Sequence, residues 1–303
     1  MRVVILGGSG LIGRALTADL TADGHEVVIL SRNPGRTGGL PAGARAAGWD
    51  GRTAAGWEAV ADGADAIVNL AGESLATGRW TEERKRAIRD SRLFSGQAVV
   101  QAVEASVRKP GVVVQSSAVG YYGPRGDEDV LEDTPPGSDF LAGVCVEWEA
   151  STAPVEALGV RRVVIRTTPV LSLRDGALPR MVLPFRYFVG GPLGSGRQWF
   201  PWIHVADEAA AIRFLVEHPE ASGPYNLTAP ESLTNAQFSR ILGRVMGRPS
   251  LIPTPAFALR LLFGEMATVL LDGQRAVPRR LQGLGFAFRF PDAESALKDL
   301  FKA

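Results

Sequence analysis

The chain has 303 residues, 33 basic against 32 acidic side chains, one cysteine and three histidines. The balanced charge, with no long block of either sign, argues against nucleic acid or an anionic membrane as the main partner, and the single cysteine excludes an intrachain disulfide and points to a reducing compartment. No apolar run reaches membrane-spanning length, the N-terminus enters a strand at once with no room for a signal peptide, and the scattered histidines have no ligand cluster, so the expectation is a cytoplasmic protein without a metal site.

Val3 to Leu6 is an apolar strand that runs into Gly7, Gly10 and Gly13, and an amphipathic helix follows from Leu11 to Ala22. Gly7 allows a tight turn, Gly10 lets a pyrophosphate approach the amides at the start of the helix, and Gly13 permits close helix–sheet packing. These glycines, with Ser9, Leu11 and Ile12, are the candidate dinucleotide clamp. No Lys-Ser or Lys-Thr follows the last glycine, which excludes a Walker loop. A second strand, Glu26 to Leu30, ends in Ser31-Arg32-Asn33 with Arg36 close behind and no carboxylate. A basic residue there suits the 2′-phosphate of NADP(H), so Ser31 and Arg32 are assigned to it.

Ala44 to Ala47 reads as the third strand. Trp49-Asp50 after it could flank an adenine, although Trp49 also reads as core. The strand Asp65 to Leu70 leads into Leu70-Ala71-Gly72, small residues at a strand end where a cofactor passes. Glu73 and Arg79 lie in the polar loop that follows; Arg79 reads equally as a substrate ligand or as a cap on the fold. A helix is expected over Thr81 to Ser106, then a fifth strand over Gly111 to Gln115 that opens into Ser116-Ser117-Ala118-Val119-Gly120-Tyr121-Tyr122-Gly123. Hydroxyls leaving such a strand point into the cofactor crevice. A helix over Asp139 to Leu158 and a sixth strand, Arg161 to Thr167, complete the alternation. That pattern demands an α/β fold, a Rossmann-type doubly wound parallel sheet.

Beyond residue 170 the alternation stops. Met181 to Gly196 mixes apolar residues with glycines, and Gly190 to Arg197 forms a loop able to fold over a ligand. Trp199 to His204 reads as a strand, and helices are expected over Val205 to Glu217, Thr234 to Met246, Pro255 to Leu262 and from Asp292. The division is an NADP-binding domain at 1–168 and a smaller substrate lobe at 169–303, with some exchange of chain between them. A small molecule would bind between the two, and a homodimer stays open.

With these residues in place the chain resembles the extended short-chain dehydrogenase/reductases, and within them the atypical subgroup labelled epimerase family or nucleoside-diphosphate-sugar epimerase. The stretches that carry this are Gly7 to Gly13, Asn69 to Glu73 with Gly78 to Thr81, Ser117 to Gly123, Gly190 to Arg197 with Trp202-Ile203-His204, and Gly273-Gln274-Arg275 with Pro278 and Gly285 to Phe288. Together they span nearly the whole length. The resemblance implies a serine and a Tyr-x-x-x-Lys pair, in which the lysine lowers the tyrosine pKa. Ser117 matches the serine, but Phe140 and Val144 occupy the other two positions, a departure the subgroup shares. Tyr121 or Tyr122 is a candidate replacement acid, or simply packing; Cys145 reads as a small buried hydrophobe. Arg197 resembles the residue that grips substrate phosphate in sugar-nucleotide enzymes, or else anchors its loop. Glu73, Arg79 and Trp202 join it on the substrate side, while Ser116 and Thr167 line the cofactor. Pro169 stands next to the position where the family pattern has a glycine, and it removes an amide from that contact.

Two functions follow. One is an NADP(H)-dependent oxidoreductase or epimerase in which Ser117 holds the reacting oxygen. The other is an NADP(H)-binding protein without turnover, whose occupied form a partner reads.

Overall fold

The computed structural model describes residues 1–37 and 39–302, and of Arg36 the backbone alone, so the Arg36 side chain considered above lies outside the described residues. The first half-fold is β1 (Arg2–Leu6), α1 (Leu11–Ala22), β2 (Glu26–Ser31) and β3 (Ala44–Gly48). Next come a short α2 (Glu58–Ala61), β4 (Ala66–Asn69), α3 (Glu82–Ala105), β5 (Val112–Ala118), the two-residue β6 (Asp129–Val130), α4 (Phe140–Ala150) and β7 (Arg161–Thr167). The chain then makes β8 (Val170–Leu171), α5 (Leu178–Arg186), β9 (Ile203–His204), α6 (Val205–Glu217) and β10 (Gly223–Leu227). It closes with α7 (Asn235–Met246), α8 (Ala256–Phe263), α9 (Thr268–Leu271), β11 (Arg275–Ala276), α10 (Arg279–Gly283) and α11 (Ala293–Lys302).

Seven strands form one parallel sheet in the order β10-β7-β5-β4-β1-β2-β3. From β1 the chain moves outward one way through β2 and β3, and from β4 the other way. The junction of β1 and β4 is therefore the topological switch point, and a ligand crevice opens at the carboxyl ends of the strands there. Strand residues are apolar on both faces because helices cover both. Val3, Ile5, Val27, Ile29 and Ile165 pack against α1 and α6, while Val4, Leu6, Val28 and Ile67 pack against Trp57 and the Ala98–Val103 stretch of α3. A separate core, with Phe185, Trp202, Phe238 and Leu297 at its centre, holds the smaller lobe.

Several expectations shift. Strand β5 runs on to Ala118, which puts Ser116 and Ser117 on the strand itself, on opposite faces. Helix α4 ends at Ala150 and continues only as a 3₁₀ turn over Ala153–Leu158, since Pro154 has no N–H to extend the α ladder. Of the expected Trp199–His204 strand, Ile203–His204 pairs with β8, while Trp199 makes only an isolated antiparallel bridge to Thr234. Strand β10 has little strand signal, being Gly-Pro-Tyr-Asn-Leu, and Pro224 is tolerated because β10 is the sheet edge. Helix α5 emerges ahead of the Gly190–Arg197 loop, in a stretch to which the sequence reading assigns no element, with Pro184 inside it. Two pieces from beyond residue 168, α6 and β10, complete the large sheet layer, and Arg213 of α6 ties to Asp19 and Asp23 at the end of α1. No helix among the described residues is long and apolar enough to cross a membrane.

Candidate cofactor and active site

The glycine loop has the shape its residue types predict. Gly7 sits at φ +77°, and a Cβ on it would come 2.8 Å from the Leu70 carbonyl. A Cβ on Gly13 would lie 2.5 Å from the Gly8 Cα, so β1, its loop and α1 meet backbone to backbone. Helix α1 starts at Gly10 with no side-chain cap and no acidic residue in its first turn. Its first amides are left for an external anion, the arrangement that receives a pyrophosphate. Ser9 and Gly10 are exposed, and Leu11 and Ile12 are half-buried.

Arg32 leaves the end of β2 with its side chain 70% exposed and its guanidinium 4.0 Å from Glu73. The Ser31 hydroxyl accepts from the Asn33 amide at 3.1 Å, which shapes the turn. Asp50 is drawn into a local turn, accepting from the Thr53 amide (2.8 Å), the Thr53 hydroxyl (2.7 Å) and the Arg52 amide (2.7 Å). The Thr53 amide chiefly holds its pKa below the ordinary value. These residues therefore fit a dinucleotide whose 2′-substituent is anionic: a cradle that side chains would fill, an uncapped helix start, and an exposed guanidinium at the end of β2.

The strap after β4 is fixed by buried amides. Asn69 donates to Gln115 (3.0 Å) and Ser95 (3.2 Å) and accepts from the Ala71 amide (3.2 Å). Gly72 is exposed beyond it, and the Glu73 carboxylate meets Arg84 at 3.2 Å. Arg79 places its guanidinium on the carbonyls of Leu261 and Leu262, so it caps α8 onto this loop. Of its two readings, the geometry takes the cap.

Ser117 is 3% exposed and donates to the Glu149 carboxylate at 2.7 Å. Glu149 is clamped by Arg166 through Nε (2.8 Å) and Nη2 (2.9 Å), a bidentate pair buried between α4 and β7. Arg166 also donates to the Tyr122 hydroxyl and the Glu132 carbonyl, both at 3.0 Å. Tyr122 in turn donates to Asn226 at 2.6 Å. The register explains the grouping: Ser117 pairs with Arg166 across β5 and β7, and Arg166 with Asn226 across β7 and β10, giving one polar row on one face.

Tyr122 is consequently not the replacement acid. It is fully buried, its oxygen is held from two sides, and burial pushes its pKa up to about 12 despite Arg166. Tyr121 is half-buried, with the Arg166 guanidinium stacked 3.5 Å over its ring. Trp202 is also corrected: it is fully buried in the core of the smaller lobe, where no substrate reaches it. Arg197 is exposed, and its guanidinium has no partner among the described residues. Burial raises the Cys145 thiol to about 11, with Glu149 adding to the rise, which makes it a poor nucleophile at neutral pH. Phe140 and Val144 pack into a cluster with Trp80, Ile88, Met266 and Phe263, so the C-terminal segment closes over the Tyr-x-x-x-Lys positions with apolar side chains.

Sequence reading missed Glu149, Arg166 and Glu208. The available signal was a charge inside an apolar pattern: Arg166 interrupts Val163-Val164-Ile165, and Glu208 falls on the buried stripe of α6. Thr167, a cofactor candidate, donates its hydroxyl to Glu208 at 2.8 Å, and the other Glu208 oxygen has no partner among the described residues. Burial pushes the Glu208 carboxyl up to about 8, offset in part by Thr167. A folded pKa above the ordinary 4.5 means that the stabilising contribution is complete below about 4.5 and is lost as pH rises to about 8. Glu208→Gln is expected to flatten the decline in melting temperature between those limits, and an unchanged slope would refute the assignment. His204 has the opposite sign: burial lowers it to about 4, so its contribution is lost as pH falls from 6.5.

A glycine-looped parallel sheet with Ser117 at the end of β5 can be compared with known proteins. Residues 3–228 match the NAD dependent epimerase/dehydratase family. The chain belongs to that family. Residues 254–300 match a domain of unknown function, DUF1731, the segment that covers Phe140 and Val144. The epimerase family protein SDR39U1 of Mus musculus is 38% identical over 308 residues, covering 99% of each chain. The epimerase family protein YfhF of Bacillus subtilis is 39% identical over 310 residues, covering 99% of this chain and 98% of its own. A crystal structure of human epimerase family protein SDR39U1 (isoform 2) with NADPH superimposes with a TM-score of 0.90 at 37% identity, covering 100% of this chain and 99% of that one.

Proposed function

We propose that this epimerase-family chain is an NADP(H)-dependent oxidoreductase that exchanges hydride with the carbonyl or alcohol carbon of a small molecule held between the carboxyl ends of the sheet strands and residues 169–303. The observation that carries the reading is Ser117, kept at the carboxyl end of β5 with its hydroxyl fixed on the Glu149–Arg166 pair. The NADPH in the human SDR39U1 structure and the exposed Arg32 at the end of β2 support the cofactor. That cofactor supplies or takes up the hydride when bound. Ser117, donating to Glu149, keeps its lone pairs for a substrate O–H, so a substrate proton passes through Ser117 to the carboxylate, and the reverse path returns it. Arg166 aims that carboxylate through two hydrogen bonds.

A second reading, an NADP(H)-binding protein without turnover, is favoured by the apolar closure over Phe140 and Val144. Purified protein with NADPH and a panel of aldehydes, ketones and sugar nucleotides separates the two. Loss of NADPH absorbance is expected with at least one compound, and Ser117→Ala should slow it by about a hundredfold or more at unchanged NADPH affinity. Tight NADPH binding with no turnover across the panel supports the second reading instead.

A further inference from the structure

Arg92 of α3 is a cation that the reading above leaves without a role. It lies against the strap after β4: a Cβ on Gly72 would come 3.2 Å from its guanidinium carbon. The guanidinium stacks over the Trp148 ring of α4 at 4.7 Å. Only Nη1 is used inside the protein, on the carbonyls of Glu73 (3.2 Å) and Ile88 (2.9 Å). Nε and Nη2 have no partner among the described residues, and neither is sealed from solvent. The acidic neighbour, Glu73, is already engaged by Arg84 at 3.2 Å and Arg32 at 4.0 Å. Burial draws the Arg92 pKa down, yet an arginine stays charged, and the one carboxylate acting on it, Glu73, is shared with Arg84 and Arg32, so positive charge is in excess at the strap after β4.

Its place within the crevice follows from the topology. In a doubly wound sheet the half built on β1 and β2 takes the adenosine end, here with Arg32, and the half built on β4, β5 and β7 takes the nicotinamide end. Arg92 belongs to the second half, against Gly72 after β4. Its stacking partner Trp148 neighbours Glu149, which holds Ser117, and Cys145, beside Ser117, lies on the same helix.

We propose that Arg92 makes this a site for the reduced cofactor, the excess positive charge it brings to the strap favouring the neutral dihydronicotinamide of NADPH over the cationic pyridinium of NADP⁺. The proposal rests on the oxidoreductase reading and gives it a direction. The phosphates carry the same charge in both oxidation states, so the groups assigned to them, Arg32 and the start of α1, cancel in the comparison. Only the ring changes, by one unit, and repulsion between like charges in protein surroundings is large enough to change affinity by about tenfold or more. The chain is then a carbonyl reductase. With the cofactor bound, the substrate carbonyl carbon would gain the hydride it supplies, and the oxygen would gain a proton that Ser117 passes on from Glu149, which solvent resupplies. An epimerase that passes through a ketone must instead retain the oxidised cofactor.

Calorimetric titration of NADPH and NADP⁺ into the full-length protein tests this. The wild type is expected to bind NADPH at least ten times more tightly. Arg92→Met should reduce that ratio at least fivefold, mainly by tightening NADP⁺, while Arg92→Lys should preserve it. Arg92→Gln, which can still donate to a carbonyl, repeats the comparison if the methionine variant does not fold. Arg32→Ala should weaken both oxidation states alike and leave the ratio intact; no effect of Arg32→Ala would count against the 2′-phosphate reading alone. A wild-type ratio near one, or a ratio unmoved by removing the Arg92 charge, overturns the proposal.

Discussion

Gly13→Ala is expected to lower NADPH affinity by more than a hundredfold and to destabilise the fold by about 1–3 kcal/mol. The added methyl would sit 2.5 Å from the Gly8 Cα and 2.6 Å from the Gly7 carbonyl oxygen. Both are backbone atoms, which cannot swing aside as a flexible side chain does. Helix α1 would have to move off its loop, straining the Gly10 amide bond to the Gly7 carbonyl at 3.0 Å. The first amides of α1 would then lose their common aim, and they are the groups assigned to the pyrophosphate. Gly143→Ala is the matched control, since it lies on exposed α4 with nothing near the new carbon, and it should leave affinity unchanged. NADPH titration and urea denaturation read both effects. Wild-type affinity in Gly13→Ala would remove the loop from the cofactor site.

Arg166→Met is expected to cost about 3–5 kcal/mol, because it strands the Glu149 carboxylate in the interior without its partner. The side chains of the pair are 4% and 14% exposed, so water offers little compensation. The Tyr122 hydroxyl and the Glu132 carbonyl lose donors in the same step. Adding Glu149→Gln should recover part of the loss, since a neutral amide is far cheaper to bury than an unpaired charge. Denaturation of the two single variants and the double variant forms a complete cycle. A loss below about 1 kcal/mol in Arg166→Met would mean that the pair is solvated and does not fix Ser117.

The parts of this protein that are legible from sequence are those whose causes lie within a dozen residues. The β1–loop–α1 unit is one: an apolar run, three glycines and a helical stripe each specify their own conformation, and α1 spans Leu11–Ala22 as the pattern predicts. The position of Arg32 is another, since an exposed guanidinium stands at the end of β2 where the pattern puts it. Thr234 shows the same locality, forming a capping box with Gln237 at the start of α7. Tyr122 and Trp202 show where local reading stops. Each stands in a stretch that resembles a site, yet each is sealed by parts of the chain far away in sequence.

The sequence by itself determined a doubly wound α/β fold, a glycine loop between β1 and α1 with an arginine at the end of β2, and a serine with no Tyr-x-x-x-Lys beside it. Tertiary structure alone decided what surrounds that serine. Ser117, Arg166 and Asn226 become neighbours only because β5, β7 and β10 pair in that order and register, and Glu149 meets them only where α4 crosses the same face. Arg92 reaches the crevice because α3 packs beneath the strap after β4 and meets Trp148 of α4. Strand order, register and burial are set by contacts between distant segments, and burial in turn sets which carboxyl groups are ionised. No periodicity or short motif encodes either.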